Sequence, residues 1–390
     1  MPQTTSQQTL RRLTIIGLLQ WMGATLGLPL LPLFLEHRGG SPHVIGFIVA
    51  SFFGAGLVTQ FFLGRLADRY GRRPVLISGL VLYGIASMTY VLPIHAWWFT
   101  ITRVVQGASA GAIEVASMSA VAALFAEHER GQAMSRIFAA QLLGIAIGPM
   151  VGVVATVQTL GWAFFLAGVV SFVAAIVASR LSLGDLDPDP APLPPIQWSN
   201  RLRGALLASA STGLAIGVYE TCWSMLMHAH HASELQIRLS WTLFCIPWVA
   251  LSRVGGWIAD HWNRTWAASL GIINGAVFLS IYPHCHNNTV MMFIGSCESI
   301  GAALTAPSIS SLLSQGAHDR EFSRRQGLSA TAQTATLALS AVSAGFLFTI
   351  DPALPFTLMS GCALVLSGFA IWSWRRTEGY VGRASLPTEA

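Results

Sequence analysis

Long apolar runs and short polar breaks alternate along the whole chain. A run of about 20 apolar residues is what an α-helix needs to cross the hydrocarbon core of a bilayer. Twelve runs predict spanning helices, at 13–35, 43–64, 75–93, 97–122, 132–156, 161–181, 203–227, 234–255, 266–283, 290–314, 325–349 and 353–374. One break is longer than the rest. Residues 182–200 include Gly-Asp-Leu-Asp-Pro-Asp-Pro-Ala-Pro-Leu-Pro-Pro, which is acidic, proline-rich, and so extended and unable to span. It separates six predicted spans from six. The pattern predicts an all-α membrane protein with twelve transmembrane helices in two six-helix halves. The N-terminal half is 1–181, the linker 182–200, the C-terminal half 201–374 and the tail 375–390.

Composition agrees: 53% of residues are hydrophobic and 10% charged, where soluble domains carry about 25% charged residues. All 22 basic residues are arginine. On the predicted topology they crowd one side: Arg11 and Arg12, Arg65 to Arg73, Arg130, Arg136, Arg180, Arg201, Arg203, Arg264, Arg320, Arg324, Arg325, Arg375 and Arg376. The other side has only Arg38 and Arg238. Excess arginine marks cytoplasmic loops, so both termini are expected in the cytoplasm of a multi-pass protein of the cell (inner) membrane. The net charge of +5 then reflects these turns and not a nucleic-acid partner. The run that begins at residue 13 is too long for a signal-peptide core, so it is expected to remain as the first helix. Trp97, Trp98, Trp162, Trp223, Trp266 and Trp372 fall near span ends, where belt tryptophans anchor in headgroups. The five cysteines form no C-x-x-C pair and read as small apolar residues.

The break after the second span is the most charged: Gly64-Arg65-Leu66-Ala67-Asp68-Arg69-Tyr70-Gly71-Arg72-Arg73-Pro74. It reads as a tight loop at the membrane surface. A similar stretch, Gly256-Trp257-Ile258-Ala259-Asp260-His261-Trp262-Asn263-Arg264, follows the eighth span, and Asp68 and Asp260 stand about half a chain apart. A charged break repeated at half-length indicates a duplicated domain. The pattern G-x-L-A-D-R-x-G-R-R resembles the signature loop of the major facilitator superfamily. That resemblance implies a cavity open alternately to each side. It also implies a cytoplasmic gate motif at Gly64, Asp68, Arg69, Gly71, Arg72, Arg73 and Asp260. There Asp68 and Arg72 latch the gate with an arginine of a neighbouring loop, Arg130 or Arg136.

Three further stretches carry the resemblance. Arg103-Val104-Val105-Gln106-Gly107 in the fourth span is similar to the superfamily's helix 4 motif, whose arginine is tied to proton movement. Gly144, Gly148, Pro149 and Gly152 in the fifth span look like the antiporter motif, departing from it at Val153. The glycines recur every four residues and give one smooth face for close packing, and Pro149 kinks the helix. The corresponding stretch of the second half, residues 340–345, lacks a Gly-Pro pair. Leu26-Gly27-Leu28-Pro29-Leu30-Leu31-Pro32 resembles a motif of the twelve-helix drug:proton antiporter branch.

Ionisable groups well inside the predicted spans are few: Arg103, Glu114, Glu220 and Glu298, with Arg253 among those nearer a helix end. Each costs about 2.5–3.5 kcal/mol at a helix centre, so each is a functional candidate. Glu114 lies three turns beyond Arg103 on one face, about 16 Å away, too far to pair but close enough to share a cavity. Glu220 on the seventh span and Glu298 on the tenth both fall about 12 Å below the outer surface. Carboxyls in apolar surroundings can hold a proton near neutral pH. Trp21, Gln106, Tyr219, Trp223 and Phe278 are candidate cavity-lining residues. His228, His230, His231, His284, Cys285 and His286 share the outer side but read as solvated loop residues, with no metal site assigned.

The expected function is proton-coupled export of small lipophilic or amphipathic compounds by alternating access, a multidrug-type antiport. The expected partners are a small-molecule substrate, protons and the lipid bilayer, the working unit a monomer, and no cofactor beyond the proton gradient. A dedicated transporter of a metabolite, metallophore (siderophore) or lipid is the alternative. An enzyme is disfavoured, since neither H-E-x-x-H nor G-x-S-x-G occurs.

Overall fold

A computed structural model describes residues 3–125, 127–181, 196–261, 263–315 and 319–384. Twelve of its helices are long and apolar enough to cross a membrane. They are α1 (Gln3–Leu26), α2 (Pro42–Tyr70), α3 (Arg72–Met88), α4 (Phe99–Leu124), α5 (Glu127–Val151), α6 (Leu160–Ser179), α7 (Asn200–Ala229), α8 (Glu234–His261), α9 (Arg264–Ile281), α10 (Asn288–Ser314), α11 (Asp319–Ile350) and α12 (Leu354–Ala384). Among the described residues no strand occurs. An even number of crossings returns the chain to the face on which it began, here called the terminal face. The linker residues 182–195 lie outside the described residues.

Local sequence explains where helices break. The first span is not one helix: α1 stops at Leu26, a 3-10 turn runs Leu28–Leu30, and a short helix follows over Leu31–His37. Pro29 and Pro32 each sit in the first turn of a piece, where the missing N–H costs nothing but the preceding helix cannot continue. The charged segment after the second span is likewise not a loop. α2 continues to Tyr70 and α3 starts at Arg72, so the break is the single residue Gly71, at φ 87°. Between Arg65 and Tyr70 there is no glycine or proline to interrupt the helix. The matching stretch behaves the same way: α8 runs to His261, and Asn263 caps α9 through the amides of Thr265 and Trp266. α12 also extends past Trp374 into the expected tail, to Ala384.

The packing repeats with a period of six helices. α1 lies against α5 and α6, α2 against α4, and α3 against α4 and α6; α7 against α11 and α12, α8 against α10, and α9 against α10 and α12. These crossings are made at small residues. A Cβ on Gly144 would stand 2.6 Å from the Leu18 carbonyl oxygen, and one on Gly148 2.6 Å from that of Met22, so this glycine face of α5 lies directly on α1. In the second half the glycines change sides. Gly213 and Gly217 of α7 meet the Gln333 and Leu337 carbonyls of α11.

The halves meet along α2–α11 and α5–α8. One buried apolar cluster takes in the non-terminal ends of both halves, including Leu26, Phe34, Ile45, Phe99 and Phe164 with Val218, Leu226, Ile237, Leu279 and Ala341. Toward the terminal face the core divides. Leu10, Leu76, Ala116, Ile137 and Ala174 form one cluster, and Leu202, Ala268, Ile309 and Trp374 a separate one. The structure is closed on the non-terminal face and divided on the terminal face.

The close approach of α5 to α1 gives a direct expectation. Gly148→Val forces side-chain atoms into the α1 backbone and lowers stability by about 1–3 kcal/mol, as overpacking does. Thermal unfolding in detergent measures the loss, and an unchanged midpoint would contradict the packing described.

Candidate functional site

The side chains of Gly64, Asp68, Asp260 and Arg130 lie outside the described residues, so the expected latch is visible only in part. Arg72 is buried. Arg69 is exposed and lies over the Tyr70 ring at 5.4 Å. Arg73 donates to the Ser179 carbonyl, and Arg12 of α1 to that of Arg180. Both arginines thus cap the C-terminal end of α6, where carbonyls lack helical partners and the helix dipole favours a cation. Arg136 instead lines a small crevice with Gln7, Glu129 and Gln132.

Arg103 is 4% exposed in the first turns of α4. Its guanidinium lies 4.7 Å from the centre of the Phe52 ring and donates to Gln106 Oε1 at 3.4 Å. Gln106 also accepts from Tyr90 Oη at 3.4 Å and donates to Ser87 Oγ at 2.9 Å. At 1% exposure Gln106 is a buried tie between α3 and α4. Glu114 turns to α5 instead and accepts from Gln141 Nε2 at 3.0 Å. Arg103 and Glu114 share a face of α4, but each has its own partners.

The second half supplies two further carboxylates, Glu220 and Glu298. Glu298, 5% exposed on α10, accepts from Tyr219 Oη at 2.8 Å and from Tyr282 Oη at 2.5 Å. Trp223 packs edge-on against Tyr282, with ring centres 4.8 Å apart, and donates its indole N–H to Ser240 Oγ at 2.8 Å. Trp223 is therefore a buried member of this cluster and not a belt residue, whereas Trp97, Trp98, Trp162, Trp266 and Trp372 are all exposed. Glu220 follows Tyr219 on α7. Among the described residues its Oε2 is buried without a hydrogen-bond partner, and so is Arg103 Nε. Glu220 lies within electrostatic reach of Arg103 in the other half and of Cys245 on α8. Phe278 packs at the edge of the shared core, and Trp21 is partly exposed beside Gly144.

Sequence reasoning missed Tyr282, Ser87, Phe52 and Gln141, which hold the charged groups. A tyrosine, serine, phenylalanine or glutamine in an apolar run has no periodicity of its own, so nothing along the chain marks it as a partner. On the non-terminal face the rings of His230 and His286 stack 5.7 Å apart. Partial burial and the neighbouring His286 hold His230 below the usual imidazole range, and burial pushes the Cys285 thiol up. Among the described residues no three potential ligands come together as a metal group.

The family model described as Major Facilitator Superfamily matches the chain twice, at residues 13–209 and 205–388. Multidrug resistance protein 2 of Bacillus subtilis is 31% identical over 40% of this chain, and the match spans 40% of that protein's length. The chloramphenicol resistance protein of Pseudomonas aeruginosa is 27% identical over 77% of this chain and 75% of its own. Solved structures share the fold at lower identity. A bacterial homologue of the human lysosomal transporter Spinster, inward-facing and unoccupied, superposes with a TM-score of 0.75 at 11% identity, covering 96% of this chain and 98% of that one. A mutant of the nucleoside transporter NupG gives 0.76 at 11% identity, covering 94% and 99%.

The two hydroxyls on Glu298 make a double-mutant cycle informative. Tyr282→Phe removes the donor to Oε2 and costs about 1–3 kcal/mol of thermal stability. Glu298→Gln in that background costs less than in the native protein, with a coupling of about 0.5–3 kcal/mol. Additive losses in thermal melts would mean that the hydrogen bond does not hold the carboxyl.

Proposed function

The chain belongs to the Major Facilitator Superfamily, and we propose that it is a proton-coupled antiporter that exports small lipophilic or amphipathic compounds. The terminal face is the cytoplasmic one in this reading, as the arginine bias requires. The observation that carries the proposal is the Arg103–Glu220 pair. A guanidinium and a carboxyl lie within electrostatic reach across the halves, each with a buried polar atom that no described neighbour satisfies. A buried polar atom without a partner is costly. A proton on Glu220 removes its buried charge, and a substrate or water between the two gives the unpartnered atoms a partner, so the charge state of the pair is sensitive to what enters the cavity. Glu298 differs. It is held by two tyrosine hydroxyls and is set up to retain its position while its proton is exchanged.

Relatives that confer multidrug and chloramphenicol resistance support the substrate class. The half-buried Tyr219 beside the carboxyls supports it too, since an aromatic face tolerates varied apolar ligands. The driving force suffices. One proton moving down 100 mV releases about 2.3 kcal/mol, which sustains a roughly 40-fold gradient of a neutral compound. The working unit is a monomer, and each half supplies one side of the pair.

The test is reconstitution in liposomes with an internal pH dye and a panel of lipophilic cations, dyes and chelators. The expected result is a substrate-triggered proton flux that falls to background in Glu220→Gln and in Arg103→Ala, with expression retained. Substrate movement without proton flux, or full flux in both variants, would overturn the proposal.

A further inference from the structure

Arg38 and Arg238 are the two arginines that the charge bias places on the wrong side of the membrane. The Arg38 guanidinium stays within its own half, over the Phe34 ring at 5.2 Å. Arg238 crosses to the other half. It is 3% exposed near the start of α8 and donates to the carbonyl of Gly152, the residue directly after α5. One turn earlier on the same face of α8, Glu234 accepts the amide N–H of Val157 at 3.0 Å. Glu234 also lies within electrostatic reach of Arg238. A cation thus sits at the C-terminal end of α5, where the dipole favours it, and an anion takes a free amide in the turn that follows. Both hydrogen bonds join the two membrane halves, and both lie on the non-terminal face.

The other seam on that face is apolar. Gly46 of α2 and Gly345 of α11 stand with each Cα 3.0 Å from where the other's Cβ would be, and the His43 and Phe346 rings stack at 5.6 Å. Such a seam is short-ranged and can part without stranding a charge. The α8 seam cannot. A buried guanidinium that loses its acceptor carries its full desolvation cost until water reaches it.

We propose that Glu234 and Arg238 form a clamp that holds the non-terminal face closed, and that its release sets the balance between the two states of the transporter. The inference rests on the divided core and the cross-half contacts and holds whether or not transport is coupled to protons. The molecule contains its own control. Glu321 and Arg325 repeat the same E-x-x-x-R spacing at the start of α11. Glu321 accepts from the Gln197 amide at 3.1 Å, and Arg325 donates to the Leu313 and Gln315 carbonyls at 3.3 and 3.0 Å. That second clamp joins the end of α10, the start of α11 and the approach to α7, which all belong to one half. Breaking it should loosen that half without changing which face is open.

Spin labels at Trp162 on α6 and Val290 on α10, both exposed at the non-terminal face and in different halves, report the opening. The measurement is the inter-label distance distribution of the full chain in nanodiscs, with the native cysteines replaced. Arg238→Ala is expected to add a longer-distance population and to lower the closed-to-open ratio at least about fivefold, the small end of typical coupling between sites. Glu234→Gln, which keeps the buried cation in place, should shift it the same way by less. Arg325→Ala should lower the thermal midpoint and leave the distribution unchanged. An unaltered distribution in Arg238→Ala overturns the clamp. If that variant fails to fold, an unaltered distribution in Glu234→Gln overturns it equally.

Discussion

Helices in lipid gain little by hiding apolar side chains from one another, because the surrounding acyl chains are just as apolar. What holds them together is close van der Waals contact, which requires small residues where backbones cross. That constraint runs through this structure. Gly107 of α4 leaves no room for a Cβ against the Phe52 carbonyl of α2, and Gly148 none against Thr25 of α1. Gly213 stands in the same relation to Gln333, and Gly255 to Ala303. Each crossing is shut by backbone approaching backbone, so the charged groups are left to the spaces between crossings. Arg103 takes the space beside Phe52, four residues from the tightest of these contacts. Glu298 lies beside Gly275, whose missing side chain leaves the carboxyl unobstructed from α9.

The same constraint separates the two faces. Within each half, glycine crossings occur along the whole thickness. Between halves they occur at Gly46 and Gly345, at the non-terminal ends of α2 and α11. There the apolar core is shared, and toward the terminal face it divides in two. The two halves are joined at one end. Opening that end parts the shared apolar core, the glycine seam and the pair of polar contacts.

Most of the architecture was legible along the chain because it is written in hydropathy. The twelve spans, their order and the smooth face at Gly144, Gly148 and Gly152 follow from periodicity alone. The segment around Asp68 and Gly71 was misjudged for a physical reason. Charge density marks where a helix leaves the membrane but does not end it, and only Gly71 does that. Trp223 was misplaced because a span end looks the same from the sequence whether it faces headgroups or a neighbouring helix. The partners of Glu298 were invisible for a related reason. Tyr219 and Tyr282 lie on α7 and α9, and only the folded arrangement makes them neighbours of a carboxyl on α10. The divided core was beyond reach too, since contacts between the halves leave no mark in hydropathy.

The placement of charge between the halves follows a logic of its own. Arg103 belongs to the N-terminal half and is fixed there by Gln106 and Phe52. Glu220 and Glu298 belong to the C-terminal half, and Glu298 is fixed by hydroxyls of that same half. When the halves rock in the proposed cycle, the contacts within each half persist, whereas the separation of Arg103 from Glu220 changes. The Coulomb energy of that pair therefore differs between the two states, and so does the ease of placing a proton on Glu220. By linkage, a proton that binds one state better shifts the balance toward that state by the same factor. Had both groups of the pair been placed in one half, their separation would stay constant through the motion and a proton would carry no conformational information. In that proposed cycle, dividing the pair across the seam makes a titration and a movement parts of a single equilibrium.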